Sequence, residues 1–153
     1  MSLIFSLVED QIISSFTYTS TNTPVQYTNW AMNSLNDAPD NSDNSEDCAI
    51  IKGSQWDEIC CETGNVAKVV CEEVHQPNCD TDDPSYHTIQ GRCFYFGNTK
   101  SSYQNAEIDC ADKGGRLFEP KNEEANLRIY QNARSFFGIP FWIGINGRSS
   151  PGK

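Results

Sequence analysis

Residues 93–117 read CFYFGNTKSSYQNAEIDCADKGGRL, and this stretch decides the fold. Cys93-Phe94-Tyr95-Phe96 is a run of β-formers and reads as a strand. Ser101 then caps a helix, with Gln104 three residues on completing a capping box. Ala106 and Cys110 fall at i and i+4, and Tyr103 joins them on an inward face. Gly114-Gly115 ends the helix, as glycines do at a helix C-terminus. Beyond it, a second helix is predicted from Asn122 to about Arg134, with Glu123 and Glu124 favourably placed in its first turn. Phe141-Trp-Ile-Gly-Ile145 then reads as a buried strand, and Ser149–Gly152 as loop.

The chain before this stretch has a different texture. Glu72 to Pro84 is acidic and turn-rich, the best candidate for a boundary. Ahead of it, Cys48-Ala-Ile-Ile51 and Val66–Cys71 read as buried strands, with Trp56 and the Cys60-Cys61 pair between them. Residues 12–30 alternate through Phe16, Tyr18, Val25, Tyr27 and Trp30, which predicts two short strands around a turn at Asn22-Thr-Pro24. Residues 31–47 are almost purely polar and carry Asp37, Asp40, Asp43, Glu46 and Asp47. Such a stretch is a loop: a solvated connector unless something binds its carboxylates.

The totals narrow the function classes. A chain of 153 residues holds one domain, or one domain plus a fragment. Seven cysteines belong to an oxidising compartment, and the odd count leaves one thiol free or paired elsewhere. Met1–Asp10 lacks the basic start and cleavage site of a signal peptide, so the chain is expected to be part of a longer secreted or extracellular polypeptide. No N-x-S/T sequon adds a second sign of secretion. No apolar run reaches the ~20 residues of a membrane span. Residues 1–75 hold twelve acids against Lys52 and Lys68, whereas residues 76–153 hold nine acids and nine bases. That acidity repels phosphates and argues against a nucleic-acid partner. No G-x-S-x-G, H-E-x-x-H or phosphate-cradling glycine loop is present, so a binding module is expected rather than an enzyme. Cys71, His75 and Cys79 match no common zinc spacing.

The second half, from Cys79 and Cys93 through the Ala106–Cys110 helix to Gly114-Gly115-Arg-Leu117 and Trp142-Ile-Gly-Ile145, is similar to the N-terminal half of a C-type lectin domain of the long form. The first half resembles the C-terminal half of the same domain. There Phe16-x-Tyr18, Trp30, Pro39, Glu46-Asp47-Cys48, Trp56, Cys61 and Val70-Cys71-Glu72 fall in the family's order. The resemblance implies an α+β fold, two helices packed on small antiparallel sheets with a long irregular loop region. It divides the chain into residues 1–74, the C-terminal half of one domain, a linker at 75–78, and residues 79–153, the N-terminal half of another. The halves stand in reverse order. Two states follow: a fragment of a tandem lectin with two incomplete, non-functional domains, or closure into a circularly permuted domain, since domain termini often lie together. The resemblance also implies the bridges Cys79–Cys93 and Cys48–Cys61, with Cys71–Cys110 added on closure. The family's cysteine lies five residues after the tryptophan matched by Trp56, which selects Cys61 and leaves Cys60 over.

The acidic loop takes a meaning from the same resemblance. Sugar-binding members of the family hold Ca²⁺ on either side of a cis-proline, on a following Glu and on a Trp-Asn-Asp triplet, and the ion takes the sugar's hydroxyls directly. Ca²⁺ prefers six to eight hard oxygens. This chain offers Ala38-Pro39-Asp40, Glu46 and Trp56-Asp57-Glu58. Asp40, Glu46, Asp57 and Glu58 are therefore the expected metal ligands, and Asp40, Glu46 and Asp57 the expected contacts to a carbohydrate or glycoprotein ligand. Ala38 brings no oxygen where the family has one, and Glu58 stands where it has Asp. The alternative is a module of the same fold that recognises protein without calcium. Trp30, Trp56 and Trp142 are expected in the core.

Overall fold

The computed structural model describes residues 16–31, 47–136 and 139–147. Eight strands and two helices form among them: β1 (Thr17–Tyr18), β2 (Cys48–Lys52), β3 (Gln55–Ile59), β4 (Val70–Glu72), β5 (Tyr86–Ile89), β6 (Arg92–Phe96), α1 (Tyr103–Asp112), β7 (Arg116–Leu117), α2 (Glu123–Phe136) and β8 (Phe141–Asn146). A short 3-10 turn over Gln76–Asp80 fills the predicted boundary. The strands build two four-stranded sheets, ordered β1-β8-β2-β3 and β5-β6-β4-β7. This is an α+β, C-type lectin-like arrangement. No helix among the described residues is long and apolar enough to cross a membrane.

Each sheet takes one inner strand from the other end of the chain. β8 inserts between β1 and β2, with Ile145 opposite Tyr18 and Ile143 opposite Ala49. β4 inserts between β6 and β7, with Cys71 opposite both Tyr95 and Leu117. All six residues of β8 are buried. Its two faces serve two cores, because successive strand residues point to opposite sides. Phe141, Ile143 and Ile145 join Trp56, Phe96, Phe118 and Ile129. Trp142 turns the other way, to Tyr103, Ala106 and Cys110 of α1.

Covalent and polar ties follow the same seam. The three bridges are Cys48–Cys61, Cys71–Cys110 and Cys79–Cys93, with Cα separations of 5.2, 5.4 and 5.8 Å. Cys60 is the free thiol. Cys71 and Cys79 are thus committed to sulfur, which removes them from any zinc set. The buried Glu72 side chain accepts from Arg116 Nε at 2.8 Å and Arg92 Nη2 at 3.2 Å. Burial pushes its carboxyl above the ordinary glutamate value, and the two guanidiniums pull it back only in part. Glu119, also buried, accepts from Ser20 N at 2.8 Å and Ser20 Oγ at 2.9 Å.

Local expectations shift where long-range bonds compete. Ser102, not Ser101, caps α1, accepting from Asn105 N at 3.2 Å. Ser101 is already engaged: its N–H bonds Ala67 O at 2.7 Å and its carbonyl accepts Trp142 Nε1 at 2.8 Å. α2 starts as predicted, with Asn122 Oδ1 accepting from Ala125 N at 2.8 Å. Of the two strands expected in 12–30, residues 12–15 lie outside the described ones. The remainder forms β1 and two isolated bridges, Thr17 to Pro24 and Trp30 to Trp56. Pro24 has no N–H to extend the ladder. The strand expected over Val66–Cys71 narrows to β4, preceded by a bridge from Ala67 to Ser101.

Two outcomes test the seam. Replacing Cys71 and Cys110 together by Ala opens a 39-residue span and is expected to cost about 4 kcal/mol by chain entropy, read from urea midpoints. Non-reduced peptide maps of the monomer should show the two cysteines joined. A Cβ at Gly115 would sit 2.3 Å from Glu72 O, so Gly115→Ala must push β7 from β4, at about 1–3 kcal/mol.

Candidate functional site

Residues 32–46, with Ala38, Pro39, Asp40 and Glu46, lie outside the described residues. The two points from which they leave and to which they return are well placed. On the entry side, Trp56 of β3 takes both bonds: its N–H donates to Asn29 O and its carbonyl accepts from Ala31 N, each at 2.8 Å. The rings of Tyr27 and Trp30 meet Trp56 edge-on, at 5.7 and 5.4 Å, a geometry aromatic pairs favour. On the return side, Asp47 O accepts from Gly147 N at 2.7 Å, and Cys48 is bridged to Cys61 opposite the end of β3.

Trp56 is held from behind as well. Its buried indole N–H donates to Asn126 Oδ1 at 2.7 Å, and Asn126 Nδ2 donates on to Ser54 O at 3.2 Å. Asn29 Nδ2 reaches the same carbonyl at 2.8 Å. The turn Gly53-Ser54, both at positive φ, aims that carbonyl at the two amides. Sequence reading missed Asn29 and Asn126. Asn126 carried a signal: it stands three and seven residues before Ile129 and Ala133, on the buried stripe of α2. A polar residue on such a stripe needs a polar partner.

Of the expected site residues, Asp57 and Glu58 are described. They are consecutive on β3 and so project to opposite faces. Glu58 shares the inner face with Trp56 and is 6% exposed, whereas Asp57 is half-buried on the outer face. The structure thus puts the two carboxylates on one strand but not on one face. No group of three or more His, Cys, Asp or Glu side chains suited to a metal occurs among the described residues. Among the described residues Asp57 belongs to no such group. Trp56 and Trp142 are fully buried and Trp30 partly so, which makes them core residues.

Comparison with known proteins adds a family context. The mouse C-type lectin domain family 3 member A is 34% identical over 67 residues, which cover 42% of this chain and 34% of the relative. A tetranectin-like protein of Carcharhinus perezii is 34% identical over 67 residues, covering 42% of the chain and 40% of the relative. The mouse C-type mannose receptor 2 is 28% identical over 142 residues, covering 83% of the chain but 9% of that protein. The chain spans about a third of the length of the first two of these relatives. No protein-family profile and no solved structure matches it.

Removing the Trp56 partner tests the anchor. Asn126→Ala leaves a buried indole N–H without an acceptor and is expected to lower stability by about 1–3 kcal/mol, measured from urea midpoints.

Proposed function

The chain carries a C-type lectin-like domain, and we propose that it serves outside the cell as a binding module for carbohydrate or glycoprotein, using calcium held by the acidic loop. Asp40, Glu46 and Asp57 are the ligands in this reading, with Pro39 setting the loop backbone. When bound, the ion supplies a Lewis-acidic centre that takes a sugar's paired hydroxyls. The chain's own part is to hold the carboxylates ready. One observation carries the proposal: the residue leading into the acidic segment, Ala31, is bonded to Trp56 on β3, beside Asp57, and the segment returns at Asp47, held to Gly147, directly into β2, which pairs with β3. Three disulfides fit an oxidising, extracellular setting. The relatives are lectin-type proteins rather than enzymes.

A second reading, protein recognition without calcium, is favoured by the inward burial of Glu58 and by Ala38. Either reading uses residues 1–74 and 79–153 as the exchanged halves of one permuted domain. The reciprocal insertion of β4 and β8 supports that organisation.

Thermal unfolding of the oxidised chain with calcium and with chelator separates the two. At about 100 times Kd, calcium should add about 2.7 kcal/mol to the native state, and Asp57→Asn should erase that gain. Retention on immobilised sugars should end on adding chelator. A cooperative melt indifferent to calcium selects the protein-binding reading.

A further inference from the structure

Two glutamates are sealed into the seam, one from each half of the chain. The Glu72 side chain, on β4, is 2% exposed, and that of Glu119, just past β7, is fully covered. Both face one nitrogen: Arg116 Nε lies 2.8 Å from Glu72 Oε2 and 3.7 Å from Glu119 Oε1. Arg92 Nη2 reaches the other oxygen of Glu72 at 3.2 Å, and Lys121 Nζ stands 3.6 Å from Glu119 Oε1. Glu119 also accepts from the turn after β1, from Ser20 N at 2.8 Å, Ser20 Oγ at 2.9 Å and Thr19 Oγ1 at 3.3 Å.

By formal charge the cluster balances, with Glu72, Glu73 and Glu119 against Arg92, Arg116 and Lys121. By burial it does not. The three cations are 44%, 37% and 47% exposed, so water screens their attraction, while the covered carboxylates keep the full cost of leaving water. Each cation on Glu72 also serves a second acid: Arg92 Nε bonds Glu73, and Arg116 is divided with Glu119. The other elements against β4 bring no relief. Lys113 of α1 is paired with Asp109, β8 carries no charged residue, and His75 is exposed at the end of α1, its N–H bonded to Lys113 O.

We propose that the seam is a proton-operated clasp: Glu72 takes a proton from solvent as the surroundings turn mildly acid, and the closed domain is tighter with that proton than without it. Protonation removes one of two buried negative charges and leaves Arg116 Nε to Glu119. Burial, with the Glu119 charge nearby, holds the Glu72 carboxyl above the ordinary glutamate value against the pull of Arg116 and Arg92. A carboxyl that binds its proton more readily folded than unfolded contributes stability that is complete below its unfolded pKa. That stability is lost as the pH rises through the folded value. Glu72 and its partners come from opposite halves, so the proton acts on how the halves hold each other. The effect runs against that of a calcium site, which weakens as its carboxylates take up protons, and it does not rest on the calcium reading.

The test compares the oxidised chain with Glu72→Gln, an uncharged side chain of the same shape, in urea unfolding from about pH 5 to about pH 8 at constant ionic strength. Chelator is present throughout, so failure leaves the acidic-loop proposal untouched. As the pH rises the parent should lose stability relative to the variant, its unfolding constant growing at least about threefold against that of Glu72→Gln. Taking the difference cancels His75, His87 and the other acids that both chains share. A second reading needs no variant: carbon NMR of the Glu72 carboxyl should give a titration midpoint above the one it has in the urea-unfolded chain. The proposal is overturned by parallel pH profiles, by a parent that gains on the variant as the pH rises, or by a folded midpoint at or below the unfolded one.

Discussion

The backbone of β4 sets the main constraint on this molecule. Val70, Cys71 and Glu72 are buried, and a buried strand needs a pairing partner on each edge, because unpaired N–H and C=O groups away from water are costly. Residues 79–153 supply both partners, β6 on one side and β7 on the other. The debt is repaid in the other sheet, where β8 lies buried between β1 and β2. Neither half can satisfy its own inner strand. The chain therefore closes on itself, and the Cys71–Cys110 bridge locks a geometry that the ladders already demand.

The seam is also where the buried charge sits. Glu72 meets arginines from β6 and β7, and Glu119 caps the turn after β1 through Ser20. Each pair spans the two halves. Losing one partner leaves a buried carboxylate uncompensated, which costs far more than an exposed ion pair contributes. These contacts act as a check on register as much as a source of stability. Gly115 fits the same picture, since a Cβ there would strike backbone across the seam, at 2.3 Å from Glu72 O.

That frame fixes the backbone on either side of the acidic segment. The acidic segment springs from β3, fastened through a Trp56 that is bonded on its backbone, its indole and both flanking rings. Glu58 is turned inward on the same strand.

Patterns local in sequence were legible from residues alone. The span of α1, the start of α2 at Asn122, the β6 and β8 strands and the core placement of Trp56 and Trp142 follow from spacing that neighbours enforce on neighbours. Resemblance carried the three cysteine pairs and the α+β class, because a family's order of cysteines and aromatics survives where identity is low. What tertiary structure alone decided is where distant groups compete for the same atoms. Ser101 yields the helix cap to Ser102 because Ala67 and Trp142 claim its backbone. Asp57 and Glu58 part to opposite faces because β2 pairs β3 as a flat ladder. Asn126 finds Trp56 across 70 residues. Such contacts depend on three-dimensional approach, which no periodicity in a single sequence encodes.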